Sequence, residues 1–201
     1  MILSSILPHM KNITVFCGSQ KGTNTTFEEQ ASLLGKSLAE RNIGLVYGGA
    51  DIGLMGAVAN GALLAGGNVI GVLPEFLQTR EIAQQNLTEL IVVRSMHERK
   101  MKMNELSDGI IALPGGFGTL EELFEILTWV QLGLQNKPIG ILNVDGYYDL
   151  LIGFVDSMVS NGFLRAEDQK LLIVRNTIEE LLQAMDDYSL PDIKNKVEEL
   201  G

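Results

Sequence analysis

The residues with the clearest chemical potential form a glycine-rich run from Pro114 to Thr119 (PGGFGT), which follows a short apolar segment. Glycine tolerates positive φ and has no Cβ, so the backbone of such a run can approach a ligand closely. The pattern predicts a helix that opens at Thr119, and the first N–H groups of a helix have no partner within it. Such helix ends bind phosphate or carboxylate groups. The run therefore predicts an anion site, with an ordinary tight turn as the alternative.

The same run does not fit two common nucleotide-binding motifs. The dinucleotide fingerprint G-x-G-x-x-G is incomplete, because Glu121 stands where the third glycine is needed. The phosphate-binding loop of many ATPases is also absent, since no Gly-Lys-Ser or Gly-Lys-Thr occurs in the chain. These absences disfavour a nicotinamide cofactor and ATP hydrolysis, and they favour a mononucleotide or a sugar phosphate as the ligand.

A basic residue falls on the apolar side of the helix predicted just upstream. At 100° per residue, Met96, Met103 and Leu106 form the apolar stripe, Arg99 lies within it and Lys100 lies at its border. An unpaired buried charge is costly, so the Arg99 guanidinium needs an anionic partner. That partner is either a ligand phosphate or, in the alternative interpretation, a structural carboxylate; a snorkelling side chain is the third possibility.

An acidic residue lies beside the apolar stripe of the next helix. Leu123, Ile126 and Val130 form that stripe, and Glu122 flanks it. The spacing of Thr119 and Glu122 also fits a capping box, T-x-x-E, with Glu122 as its third helical residue. A capping carboxylate at a ligand-binding helix end can still react, so both interpretations remain open.

The elements that position these residues are predicted by short β-branched runs that alternate with helical patterns, which is typical of stacked βα units. Most of the runs are apolar without polar alternation, as expected for strands that are covered on both faces. We predict an α/β fold with a doubly wound parallel sheet of about seven strands and helices on both faces. The predicted strands are Ile13–Cys17, Ile43–Tyr47, Asn68–Leu73, Leu90–Val93, Gly109–Leu113, Pro138–Leu142 and Leu171–Val174.

Ligands of open parallel sheets bind beyond the carboxyl ends of the strands, so the other strand-to-helix junctions are also candidates. Gly49, after the second strand, serves either close packing or ligand approach. Ser19, after the first strand, offers a hydroxyl to a phosphate, although a serine in a turn is often structural. Glu81 lies in a long connection after the third strand, and long connections often act as lids.

Composition restricts the function further. A net charge of −10 argues against nucleic-acid binding, which needs clustered positive charge. Because Cys17 is the single cysteine and there are two histidines, a disulfide framework, a Cys-based zinc site and a His-rich metal site are not expected. The sequence has no run of 18 apolar residues, so no membrane-spanning helix is expected. The single thiol fits a cytoplasmic protein. We expect a flexible extension over residues 1–11, one domain over 12–185 and an acidic tail over 186–201.

Several of these motifs together resemble the LOG ("Lonely Guy") family. The similarity runs from about Asn12 to Val174 and includes Met96–Met101 (MHERKM), Pro114–Glu122 (PGGFGTLEE), Thr128–Gly133 (TWVQLG) and Asn143–Tyr148 (NVDGYY). The combination of R-K with P-G-G-x-G-T-x-x-E is specific to that family. Its members are cytokinin riboside 5′-monophosphate phosphoribohydrolases, long mislabelled as lysine decarboxylases.

The resemblance implies a Rossmann-like homodimer that needs no cofactor and no metal. It also implies hydrolysis of the N-glycosidic bond of an adenine-type nucleoside 5′-monophosphate, with release of base and ribose 5-phosphate. The positions that match the proposed catalytic pair are Arg99 and Glu122. The positions that match substrate-binding residues are Glu81, Arg99, Lys100, Gly116, Phe117, Gly118, Thr119, Leu120, Glu121, Glu122 and Thr128.

Two positions depart from the family pattern. Phe117 stands where tyrosine is frequent, and residues 83–87 (AQQNL) replace a glycine-containing segment. The first departure removes a hydroxyl group but keeps the ring, and the second concerns base preference more than the chemistry. Cleavage of a riboside passes through an oxocarbenium-like state, which a carboxylate at Glu122 would stabilise while it orients water.

Two other functions remain open from the sequence. One is a broader purine 5′-nucleotide nucleosidase that acts on AMP. The other is a non-catalytic carrier of a phosphorylated ligand such as the molybdenum cofactor, which would not need the pair of Arg99 and Glu122. Lysine decarboxylation is disfavoured, because no lysine has a recognisable pyridoxal-phosphate context.

Overall fold

The computed structural model describes residues 10–78, 84 and 86–190. The strands are β1 (Asn12–Phe16), β2 (Gly44–Tyr47), β3 (Val69–Pro74), β4 (Glu89–Val93), β5 (Gly109–Ala112), β6 (Ile139–Leu142) and β7 (Leu172–Arg175). The helices are α1 (Thr25–Glu40), α2 (Gly53–Leu64), α3 (Met96–Glu105), α4 (Phe117–Gln131), α5 (Asp149–Ser160), α6 (Ala166–Gln169) and α7 (Ile178–Asp186).

The seven strands form one parallel sheet in the order β4-β3-β2-β1-β5-β6-β7. The chain builds outward from β1 to β4, returns to the centre at β5 and then builds outward on the other side. The strand order therefore reverses between β1 and β5, and ligands of such sheets bind in the crevice at that point. The predicted doubly wound α/β fold is confirmed.

Helices cover both faces of the sheet, which explains why the strand sequences lack polar alternation. One buried cluster joins α1, α2 and α7 to the sheet, and alternate β1 residues such as Ile13 and Val15 point into it. A second cluster joins α3, α4 and α5 to the opposite face, where Phe16 points. The catalytic candidates on α3 and α4 are therefore on the same face.

The helix starts differ in a way that matters for the site. The side chains of Asn24, Ser95 and Thr177 cap α1, α3 and α7 by accepting a bond from a backbone N–H. Helix α4 begins instead after Gly116, which has no side chain to do this. The first turn of α4 thus leaves its N–H groups without a side-chain cap.

All seven predicted strands are present, with ends that differ by one residue in most cases. The short helix α6 and the two 3-10 turns at Glu75–Leu77 and Val144–Gly146 were not predicted.

Met10 packs in the core beside β5, within the stretch expected as an extension. Residues 1–9 and 191–201 lie outside the described residues, so the domain boundaries stay a prediction. No helix in the described part of the chain has the length and apolarity needed to span a membrane.

Candidate active site

A cavity of about 330 Å³ opens at the carboxyl ends of β1, β2 and β5, where the strand order reverses. Its walls come from the ends of these strands and from α2, α3 and α4. The lining residues are Val15, Phe16, Cys17, Gly18, Ser19, Gly48, Met55, Leu77, Met96, Arg99, Met103, Gly116, Phe117, Gly118, Thr119, Glu121 and Glu122. The cavity thus brings together most of the residues that the sequence singled out.

The glycine-rich run forms the entry to α4, but the helix begins two residues earlier than predicted. Gly116 is the N-cap, and Leu120 donates the first helical bond to its carbonyl at 3.2 Å. Thr119 is the third helical residue and Glu122 lies in the second turn, so the predicted capping box is wrong. Gly116, Phe117 and Gly118 are exposed at the cavity. The open end of α4 can therefore receive an anion from the cavity side.

Arg99 reaches this cavity from α3 and is 8% exposed. Its Nε donates to the Val72 carbonyl at 3.1 Å, and its Nη1 lies 3.5 Å from Glu122 Oε1. A Cβ at position 48 would collide with Nη2, so only glycine leaves room for the guanidinium at the end of β2. The predicted anionic partner of Arg99 is present, and it is Glu122.

Glu122 is equally buried, at 8% exposure, and its environment changes its acidity. Burial raises the pKa of the Glu122 carboxyl to about 7, although the Arg99 guanidinium opposes the rise. The nearby carboxylates of Glu121 and Glu125 add to it, while Lys100 counteracts them. A carboxyl with a pKa near neutrality is suited to proton transfer at cellular pH.

Lys100 follows Arg99 in α3 but does not line the cavity. It is 6% exposed, and its Nζ lies 2.5 Å from Glu121 Oε1 and 3.0 Å from the Glu125 carboxylate. Burial alone would lower the pKa of Lys100, but the hydrogen bonds with Glu121 and Glu125 outweigh it and raise that pKa. Lys100 is thus a fully charged group that joins α3 to α4. Sequence reasoning missed Glu125, although its position one turn after Glu121 was a signal.

The remaining predicted site residues are distributed unevenly. Ser19 is exposed and lines the cavity. Gly49 does not line it; its φ is +80°, and a Cβ there would lie 3.3 Å from Leu73 Cβ, in agreement with the packing alternative. Leu120 is half-buried against the core of the α4 face. Glu81 lies outside the described residues.

Thr128 lies apart from the cavity. It is nine residues beyond Thr119 on α4, about 13 Å along the helix axis. Its hydroxyl donates to the Phe124 carbonyl at 2.7 Å. It lines a second, smaller cavity of about 190 Å³, whose walls are largely apolar and come from α4, α5 and α6.

Cys17 forms part of the cavity wall and was not predicted as a site residue. It is buried next to Glu122 and Arg99. Burial raises the pKa of its thiol far above the usual range, with a further rise from the Glu122 charge. Cys17 is therefore an uncharged thiol at neutral pH, unlike reactive cysteines, whose pKa is lowered.

Comparison with known proteins shows the family to which this chain is related. Residues 55–185 match a family described as "Possible lysine decarboxylase". The cytokinin riboside 5′-monophosphate phosphoribohydrolase LOG of Oryza sativa is 47% identical over 89% of this chain and 74% of its own length. The phosphoribohydrolase LOG4 of Arabidopsis thaliana is 47% identical over 88% of this chain and 82% of its own.

Solved structures show a more distant likeness. The molybdenum cofactor binding protein of Rippkaea orientalis is 26% identical, with a TM-score of 0.67 over 88% of this chain and 95% of that one. The molybdenum cofactor carrier protein of Chlamydomonas reinhardtii, with a TM-score of 0.66 over 88% of this chain and 96% of that one, is 22% identical and shows the fold alone. Because similarity over most of the chain at 44% to 47% identity is found with the LOG enzymes, this chain belongs to the LOG phosphoribohydrolase family.

Proposed function

We propose that this protein is an N-glycosyl hydrolase of nucleoside 5′-monophosphates. The substrates are cytokinin riboside 5′-monophosphates, in which the adenine carries an N6 substituent, and AMP. The products are the free base and ribose 5-phosphate. One observation carries the proposal: a single cavity contains the open end of α4 and the Glu122 carboxyl, whose pKa is about 7.

The 5′-phosphate is proposed to bind at the first turn of α4. The net charge of −10 repels an anion at long range, so the attraction must come from local donors. The N–H groups at the start of α4 supply them, and the Arg99 guanidinium supplies the positive charge. Binding of this remote group helps to position the sugar for reaction.

Glu122 is proposed to act on the sugar. As a carboxylate it stabilises positive charge that develops at C1′, and it takes a proton from the attacking water. The water oxygen forms the new bond to C1′, and the base leaves with the electron pair of the glycosidic bond. The proton that Glu122 takes from the water balances the proton that the released base gains, so the carboxylate is regenerated at the end of the reaction. The long 3.5 Å contact with Arg99 orients the carboxylate without holding it in a tight ion pair.

Chromatography of reaction products tests this function. The purified protein is incubated with AMP, with N6-isopentenyl-AMP and with adenosine, which lacks the phosphate. We expect free base and ribose 5-phosphate from both nucleotides and little free base from adenosine, and we expect Glu122→Gln to release base about 10³-fold more slowly. Intact nucleotides after long incubation would contradict the proposal.

The same experiment separates the two alternatives. A kcat/KM for AMP that exceeds that for N6-isopentenyl-AMP would indicate a broad AMP nucleosidase. A carrier of the molybdenum cofactor, which the 26% identical neighbour binds, would release no base. The presence of both Arg99 and Glu122 in one cavity favours the hydrolase.

We further propose a homodimer that forms through α5. Leu150 and Phe154 are 91% and 59% exposed and lie one turn apart, and Met158 continues this apolar stripe into the cavity that contains Thr128. Contiguous exposed apolar surface of this kind marks protein interfaces. A second copy at this face would also explain why Thr128 matches a substrate-binding position although it lies far from the cavity of its own chain.

Sedimentation equilibrium tests the dimer. We expect a dimer for the wild type and a monomer for Phe154→Glu, whereas Leu64→Glu, on the exposed end of α2, should remain dimeric. A wild-type monomer at micromolar concentration would contradict this assembly.

We also propose that the enzyme acts in the cytoplasm, since a free, buried Cys17 is compatible with a reducing compartment.

A further inference from the structure

Two adjacent tyrosines hold the backbone that leads into the glycine-rich run. The Tyr147 hydroxyl donates to the Gly115 carbonyl at 2.6 Å, and the Tyr148 hydroxyl donates to the Leu113 carbonyl at 2.6 Å. Both tyrosines belong to the connection between β6 and α5, a segment to which the proposed reaction assigns no role. The carbonyls that they bind are on either side of Pro114.

The two hydrogen bonds have different consequences because different residues come after the two carbonyls. In a trans peptide the carbonyl and the next N–H lie in one plane and point in opposite directions. The bond from Tyr147 therefore fixes the direction of the Gly116 N–H. Gly116 lines the cavity and Tyr147 does not, so we infer that this N–H, which points away from the Tyr147 hydroxyl, is turned toward the cavity. The bond from Tyr148 fixes no donor, since the residue after Leu113 is Pro114, which has no N–H.

Tyr147 is 44% exposed, and neighbouring aromatic rings fix the position of its ring on the protein surface. It makes edge-to-face contacts with Phe27, at a centroid distance of 5.5 Å, and with Tyr148, at 4.9 Å. The loop has little freedom on its other side, because a Cβ on Gly115 would collide with Thr119 Oγ1. The hydroxyl of a ring with two aromatic neighbours thus bonds to a tightly packed loop.

We propose that Tyr147 is a positioning residue for anion binding: its hydroxyl fixes the Gly115–Gly116 peptide so that the Gly116 N–H faces the phosphate in the cavity. Identification of this anion as the 5′-phosphate of the substrate rests on the proposed function. The positioning role of Tyr147 requires only that a sugar phosphate binds at the start of α4.

The test compares Tyr147→Phe with Tyr148→Phe, a matched pair that removes one hydroxyl each at the same donor distance. Binding of ribose 5-phosphate is measured by calorimetry, and the melting temperature is measured in parallel. We expect Tyr147→Phe to weaken binding about fivefold with a small change in melting temperature. Tyr148→Phe leaves the buried Leu113 carbonyl without its donor, so we expect a lower melting temperature but affinity within twofold of the wild type.

Kinetics with AMP give a second readout. Tyr147→Phe should raise KM about fivefold and leave kcat within twofold, as expected when a binding contact is weakened. The proposal is overturned if Tyr147→Phe binds ribose 5-phosphate as the wild type does, if Tyr148→Phe weakens binding equally, or if the wild type does not bind this ligand. If the wild type binds ribose 5-phosphate but releases no base from AMP, the proposed function is contradicted, whereas the positioning role of Tyr147 is not.

Discussion

Arg99 and Lys100 are neighbours on α3 and are both buried, yet their ionic environments differ. Lys100 contacts two carboxylates at 2.5 Å and 3.0 Å, and neither Glu121 nor Glu125 is as buried as Glu122. Arg99 contacts one carboxylate at 3.5 Å and donates from its Nε to a backbone carbonyl. Two carboxylates thus balance the charge of Lys100, whereas Arg99 and Glu122 make one long contact and keep hydrogen-bonding capacity for a ligand.

The difference between the two ionic environments separates a stabilising contact, at Lys100, from the groups that are expected to react, Arg99 and Glu122. The charge of Lys100 is balanced within the protein, which fits a role in holding α3 to α4. The single long contact of Glu122 does not offset the loss of hydration, so its pKa stays near 7. The chemistry is therefore expected at the poorly satisfied pair.

The largest expected effect is the loss of the Glu122 carboxylate. Glu122→Gln should lower kcat/KM for AMP by about 10³-fold, because the substitution removes both the general base that takes a proton from water and the negative charge that stabilises positive charge at C1′. Nucleotide affinity, measured by calorimetry, should stay within about threefold. The matched control is Glu125→Gln, one turn further along α4, which should lose less than about tenfold. An active Glu122→Gln protein would remove this residue from the mechanism.

The same substitution should change how stability depends on pH. Because the pKa of Glu122 is about 7 in the folded protein, against an ordinary value of 4.5, the folded state binds more protons between those pH values. Stability of the wild type is thus lost as the pH rises through this window and is level above it. Relative to the wild type, Glu122→Gln should gain about 2 to 3 kcal/mol between pH 5 and pH 8, measured by urea unfolding. A constant difference would show that the carboxyl is not perturbed.

Removal of the other partner should have a somewhat smaller effect on the reaction. Arg99→Ala should lower kcat/KM by about 10²-fold, since it removes a donor from the cavity. It should also raise the pKa of Glu122, whose charge Arg99 favours, so the acid limb of the kcat/KM profile should move to higher pH. Unchanged kinetics would indicate that the pair of Arg99 and Glu122 is only structural.

Much of this arrangement could be predicted from the sequence, because local patterns carry it. The strands are predominantly apolar since helices cover both faces, and this pattern indicated their number and order of appearance. The stripe formed by Met96 and Met103 placed Arg99 inside, and its partner proved to be Glu122.

Other features depend on contacts that no local pattern contains. The letters of a capping box at Thr119 were present, but the glycine loop allows α4 to begin at Phe117. The ion pairs of Lys100 with Glu125 depend on the relative placement of α3 and α4 on the sheet. The bond from Tyr147 to the Gly115 carbonyl likewise joins two loops that are 32 residues apart.

The smallest expected effect concerns Lys100, and it tests the comparison most directly. Lys100→Met removes the charge that balances Glu121 and Glu125, both of which raise the pKa of Glu122. The acid limb of kcat/KM should therefore move to higher pH, with a loss of no more than about tenfold at pH 6 and little loss at pH 9. Lys102→Met, which breaks an exposed pair with Glu105, is the control and should leave the profile unchanged. If Lys100→Met instead raises KM about 100-fold at every pH, Lys100 contacts the substrate itself. Arg99 and Lys100 would then both bind the substrate, and the proposed difference between them would be wrong.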